Sequence, residues 1–285
     1  MELTSRYGVT KLRIVSVITP CGTTDMCIGG VKHKTIQLVS LSRLLNPLNE
    51  FTMTFYHFTS SLDGNLLYIT DFQNKSLKSL SKTGNLYTIK DFSPMFPTCV
   101  HITSQNQIFV GLVDKDSQNM DADSRRTIIQ LSIKGDIKAD YEFDPKGIRL
   151  FTVPYRCHLN EVNKLLIVID KYDPMTGRIV AIDTKGEVKF RYSGFTDNTK
   201  FKTFRPTDIR CISTGETVIC DIENHSLHIL DRNGIFIQNL STLELNISHP
   251  HSLAVDSYDQ LWIGTGPPPN SREKGQIYAT KMVKY

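Results

Sequence analysis

Apolar residues in this chain come in short runs separated by polar turns, a spacing that predicts β-strands and leaves little room for helices. One unit recurs: a polar turn, an apolar strand often ending in Asp, a loop, a second apolar strand, a glycine turn and a third strand. The first strand reads Asp63 to Asp71, Gln105 to Gly111, Val162 to Asp170, Thr214 to Asp221 and Tyr258 to Gly264, with Thr24 to Gly29 a degenerate copy. The second strand runs into Gly84, Gly135, Gly186 and Gly234, which are 51, 51 and 48 residues apart. Pro97, Pro154, Pro206 and Pro250 each open a further apolar stretch ahead of the polar turn. Every unit therefore carries four strands, a to d from the proline onward.

Six such units predict an all-β chain: a six-bladed β-propeller with four antiparallel strands per blade, a single domain over residues 1–285. Solenoid coils are much shorter than this period. The last unit supplies strands near 250–256, 260–265 and 276–283 and lacks a fourth, while residues 2–9 precede a first unit whose strand a is expected at Leu12 to Ile18. The simplest closure pairs the N-terminal segment 2–9 into the last blade, removing an exposed edge.

The residues Pro206-Thr-Asp-Ile, Gly215 to Asp221, Leu227 to Asp231 and Gly234-Ile-Phe, followed by Pro250 to Asp256 and Gln260 to Ile263, resemble NHL repeats. The run over nearly the whole chain is similar to the C-terminal propeller of tripartite-motif E3 ubiquitin ligases, with the first and third blades degenerate. That resemblance implies a domain that recognises RNA or a protein target and lends substrate choice to a ligase. The ligase's RING finger, B-boxes and coiled coil, through which a parent protein would oligomerise, have no counterpart here, since no zinc-ligand spacing and no heptad run occurs.

Composition narrows the picture. Hydrophobic residues at 40% and charged residues at 22% are globular proportions, and no stretch approaches the roughly 20 apolar residues of a membrane span. A soluble, cytoplasmic chain without membrane contact is expected. The six cysteines form no CxxC pair and are read as buried thiols of a reducing compartment. A net charge of +4 is too small to announce a nucleic-acid binder, and no DNA partner is expected, so the distribution of charge matters more than its sum.

In a meander, the a–b and c–d connections share one face and the b–c and d–a connections share the other. The first face holds tight glycine turns; the second holds every long loop, where binding residues concentrate. Two neighbouring d–a loops there are basic with rings interleaved: Lys146, Arg149, Tyr155 and Arg156 in one, Lys200, Phe201, Lys202, Phe204 and Arg205 in the next. From Lys146 to Arg210 there are 13 Lys or Arg against 7 Asp or Glu. Cations beside stackable rings suit single-stranded or structured RNA, and an acidic protein segment nearly as well. The bland alternative is that Phe201 and Phe204 cap a blade interface and the lysines are merely solvated.

Enzymatic readings fare worse. The acidic insert Asp114, Asp116, Asp121 and Asp123 lacks the spacing and glycine of a calcium loop. His251 stands where the related peptide-amidating lyases carry a zinc-binding histidine, but the equivalent positions here are Thr98, Tyr155 and Thr207, and one ligand holds no metal. His251 is read as a channel-mouth or packing residue and joins the candidate ligand-binding set. The expectation is therefore a non-catalytic recognition domain with no cofactor and no metal; the alternatives are a purely protein-binding scaffold and, more remotely, a metal-dependent lyase or lactonase.

Overall fold

The computed structural model of the chain describes residues 1–8, 11–41, 47–114, 123–195, 202–267 and 271–281. After β1 (Glu2–Gly8) come β2 (Val17–Pro20), β3 (Asp25–Gly30), β4 (Thr35–Ser40) and β5 (Pro47–Thr52), which form one antiparallel sheet. The second sheet is β6 (His57–Ser60), β7 (Leu66–Asp71), β8 (Ser76–Ser81) and β9 (Leu86–Asp91); the third is β10 (Phe96–Ile102), β11 (Ile108–Val113), β12 (Arg126–Leu131) and β13 (Ile137–Tyr141). The fourth is β14 (Pro154–Asn160), β15 (Leu165–Lys171), β16 (Gly177–Ile182) and β17 (Val188–Tyr192), and the fifth β18 (Pro206–Cys211), β19 (Thr217–Asp221), β20 (Ser226–Leu230) and β21 (Phe236–Ser241). The sixth orders β22 (Pro250–Val255), β23 (Leu261–Thr265) and β24 (Gln276–Lys281) with β1 at its outer edge. This is a six-bladed β-propeller with four antiparallel strands per blade.

The burial pattern shows why the blades need one another. Every residue of β11 and of β20 is buried, because neighbouring blades cover both faces, whereas the outer strand β13 is mostly exposed. Six buried apolar clusters of the described residues sit one at each blade junction, such as Cys99, Phe109 and Ile128 against Cys157, Leu166 and Val168. The c–d turns at Gly84, Gly135, Gly186 and Gly234 all hold positive φ. In the a–b turn of the second blade, Gly64 meets backbone: at φ +69 an added Cβ would stand 2.4 Å from Cys21 and Gly22 in the preceding blade.

The first blade departs from the sequence expectation. Leu12 and Val15 are fully buried, yet strand a begins only at Val17. Residues 11–16 instead cross the seam, where the Val15 N–H donates to Thr265 O and Leu12 O accepts from the Gly275 N–H. At that seam β1 pairs with β24 from Glu2↔Lys281 to Gly8↔Gln276. All six cysteines are free thiols, five of them buried.

The aspartates that end the b strands fasten each blade to the loop entering it. Asp71 accepts from the Thr54 hydroxyl, the Asn74 N–H and side-chain amide, and Lys78. Asp221 accepts from the Arg205 N–H and Asn224. Burial works to raise both carboxyls, but the bonds to Asp71 and, at Asp221, first the His228 imidazole at 3.4 Å and then these bonds outweigh it and hold both below the ordinary value of 3.8. The unfolded chain therefore takes up protons more readily, so this stability is complete above that value and is lost as pH falls through the folded pKa. The melting temperature is expected to drop as pH falls below about 4, and a D71N/D221N double variant should melt lower at pH 7 with a shallower acid slope; an unchanged slope would refute the assignment.

Candidate functional site

Each proline that opens a strand a is followed at once by a register break, at Pro97/Cys99, Pro154/Arg156, Pro206/Ile209 and Pro250/Ser252. A bulge bends the strand and re-aims the extra side chain. The extra residues include Tyr155 and His251, at the end of the central channel where the b–c and d–a connections emerge.

Around that mouth the structure assembles a line of rings. Phe96 stacks on Phe72 at 4.7 Å between centroids, Phe72 on Tyr56 at 5.6 Å, and Tyr56 meets Tyr155 edge-on at 5.9 Å. Cations lie against them: Lys75 Nζ is 4.4 Å from the Phe96 centroid, the Arg156 guanidinium 4.2 Å from that of Tyr155, and Lys171 Nζ 5.3 Å from the same ring. A cavity of about 520 Å3 opens beside Tyr56, Phe72 and Phe96, with Val31, Lys34 and Thr54 on its other walls. All four rings come from d–a or b–c segments or from the first residues of a strand a, so the array belongs to the long-loop face.

Positive charge is gathered here against its own repulsion. Lys171 is pushed down to about 7, by burial first and then by Arg205 and Arg156. His251 is pushed down to about 4 by burial, then by Arg156, with Lys171 and Arg205 adding to it. Arg156 is 2% exposed; its guanidinium donates to Tyr155 O, and Nε has no partner.

The structure thus brings Tyr155, Arg156, Arg205 and His251 together and separates the other predicted residues from them. Arg156 is a correction: it lies within β14, buried, and is not a loop cation. Phe204 follows the blade-interface alternative, because it packs on Tyr192 at 5.6 Å and His228 at 5.0 Å inside the junction of the fourth and fifth blades. Arg205 and Lys202 are both paired with Glu223. Lys146 is exposed in a turn organised by Asp144, and Arg149 pairs with Glu142 over the Phe143 ring in that same hairpin. Lys200 and Phe201 lie outside the described residues, as do Asp116 and Asp121. Sequence reasoning missed Tyr56, Phe72, Lys75, Phe96 and Lys171. One signal was available: Phe72 and Lys171 each follow the aspartate that ends a b strand, a position the repeat carries to the channel mouth.

The opposite end of the channel opens between the a–b turns into a second cavity of about 520 Å3, reached by strand a of all six blades. His57, His101, His158 and Arg210 line it. Among the described residues no group of three or more His, Cys, Asp or Glu is placed to hold a metal ion, and no helix is long and apolar enough to cross a membrane.

No family model matches the chain, and no curated protein is similar to it by sequence. Solved structures are similar in fold. A catalytically inactive virginiamycin B lyase from Staphylococcus aureus with quinupristin superposes at a TM-score of 0.63 and 14% identity, over 98% of this chain and 99% of that one. A luciferin-regenerating enzyme gives 0.68 at 10% identity, over 96% and 94%. A chain of a nidogen/laminin complex gives 0.60 at 11% identity, over 85% and 84%. At these identities the likeness carries the propeller fold and nothing further.

Proposed function

We propose that this propeller is a non-catalytic recognition module that binds single-stranded RNA across its long-loop face, in the cytoplasm, as the target-choosing part of a tripartite-motif ubiquitin ligase. The observation that carries this reading is the continuous line Phe96, Phe72, Tyr56, Tyr155 with Lys75, Arg156 and Lys171 set against its rings. Every base has a face to stack, and phosphates are neutralised by interleaved cations, so such an array takes a strand with little regard to sequence. The ligase context rests on the NHL-like repeat pattern alone.

A protein ligand is the second reading. The cavity beside Tyr56, Phe72 and Phe96 would receive an apolar side chain, and the nidogen/laminin complex offers a propeller of this fold seen with a protein partner. An enzyme of the virginiamycin B lyase kind is less favoured, since what the long-loop mouth gathers is stacked rings with cations against them.

Fluorescence anisotropy with a pool of short single-stranded RNAs at two salt concentrations tests the proposal. Binding should weaken as salt rises, with a log–log slope of about −0.7 for each phosphate contacted. Tyr56→Ala and Lys75→Glu should each weaken binding about tenfold, while Lys202→Glu, at a cation already paired with Glu223, should do less. No binding at low salt, or binding indifferent to salt, would sink the RNA reading; retention of an acidic peptide instead would support the protein one.

A further inference from the structure

The channel end facing the tight turns has chemistry that the long-loop face does not use. His57 at the start of β6, His101 on β10 and His158 on β14 come from three consecutive blades. The His101 and His158 rings are 4.2 Å apart. His57 Nδ1 lies 3.1 Å from Val100 O and 3.2 Å from Val100 N, while its Nε2 is buried with no partner. His101 Nε2 and His158 Nδ1 are likewise buried and unpartnered. Buried ring nitrogens left without a bond each cost free energy that a ligand could recover.

The charges along the axis do not balance. Arg210 on β18 is matched by Asp208, whose Oδ1 accepts from its guanidinium at 2.9 Å and whose Oδ2 accepts the Leu253 N–H. Arg156, behind His57, has no carboxylate of the described residues within ion-pair distance. Arg156, buried, and Arg210, partly buried, thus face one buried carboxylate, Asp208. An uncompensated buried cation is costly, and a bound anion is the remedy available to a channel open at one end. The three carboxylates at the rim are held by other donors: Glu161 accepts from Ser104 and Lys164, Asp256 from Trp262 and its own turn, and Asp259 from Ser213.

We infer that this cavity is a binding site for a small oxyanion, a carboxylate or phosphate group, held on the channel axis by His57, His101, His158 and Arg210. The 520 Å3 volume is that of a small-molecule site. The histidines act as neutral donors and acceptors, since burial and the neighbouring guanidinium charges hold all three below the ordinary imidazole value. The inference is independent of RNA binding, which uses the other face.

The test follows the imidazole signals of the full chain by NMR during titration with sodium acetate, inorganic phosphate and, as a cation control at matched ionic strength, choline chloride. The expected result is a saturable shift of the His57, His101 and His158 signals with at least one oxyanion at millimolar concentration. Preference for acetate marks a carboxylate site, and preference for phosphate a phosphate site. The His101→Gln/His158→Gln double variant should weaken binding about tenfold, as loss of two charge-assisted bonds implies. Should that variant unfold, His57→Gln alone is expected to weaken it about fivefold. Lys75→Glu should leave the titration unchanged. Shifts that are linear with salt, that follow choline equally, or that persist undiminished in the variants would overturn the proposal.

Discussion

A chain lacking residues 1–8 is expected to melt about 10 to 20 °C lower than the intact one and to self-associate on concentration. The segment β1 closes the sixth blade through six register pairs with β24. At about 1 kcal/mol net per hydrogen bond, that pairing contributes roughly 5 kcal/mol, and in a domain of this size each kcal/mol moves the melting temperature by about 2 to 4 °C. Its loss also bares β24 as a new edge, a template for pairing with another chain. The readout is built in: Trp262 is the only tryptophan in the sequence, 3% exposed, with Tyr7 of β1 at 5.8 Å. Its emission should shift to the red in the truncated chain. A truncated chain that stays monomeric with native emission and an unchanged melt would show that the seam is held elsewhere.

The second large effect is expected at Asp170. Its side chain is fully buried; Oδ1 accepts the Thr152 and Val153 N–H groups at 2.6 and 2.8 Å, and Oδ2 accepts from Arg178 at 2.9 Å. Asp170→Ala leaves two backbone donors and a guanidinium without their acceptor at once, a loss of about 3 to 5 kcal/mol, or roughly 10 °C in melting temperature. Asp170→Asn keeps an oxygen for the amides and should fall between the two. Because the Lys171 N–H donates to Val153 O, the same change should loosen the channel mouth, seen as faster amide exchange over residues 150–153. A variant within about 2 °C of wild type would mean that neighbouring groups replace the carboxylate.

Much of the propeller was legible because its signals are local. Gly84, Gly135, Gly186 and Gly234 mark turns where only a residue tolerant of positive φ is comfortable, and they stand at the c–d turns. Pro154, Pro206 and Pro250 are the first residues of inner strands and Pro97 the second of its own, where the missing N–H costs little. The first blade was read less well. Leu12 and Val15 are as apolar as strand residues, but they are buried by crossing the seam, and hydrophobicity does not distinguish the two reasons for burial.

The candidate site was only half legible. Counting cations and rings in loops found Tyr155, Arg156 and Arg205, and the likeness to amidating lyases singled out His251; these four do come together, whereas Lys146 and Arg149, from the same count, are engaged in a hairpin of their own. Phe204 looked like a loop aromatic and is a core residue. Tyr56, Phe72 and Phe96 were passed over because each is an isolated ring in its own segment, and their stacking exists only where three different connections converge.

By itself, then, the amino-acid order determined the strand, the turn, the blade and their repetition, because alternation of apolar side chains and turn geometry act over a few residues. Only the tertiary structure decided what faces the axis. His57, His101 and His158, or Arg156 and Arg210, are roughly fifty residues apart and gain nothing from one another locally. They meet because radial packing of six sheets drives one residue of each inner strand toward a common line, and their electrostatics follow from that convergence.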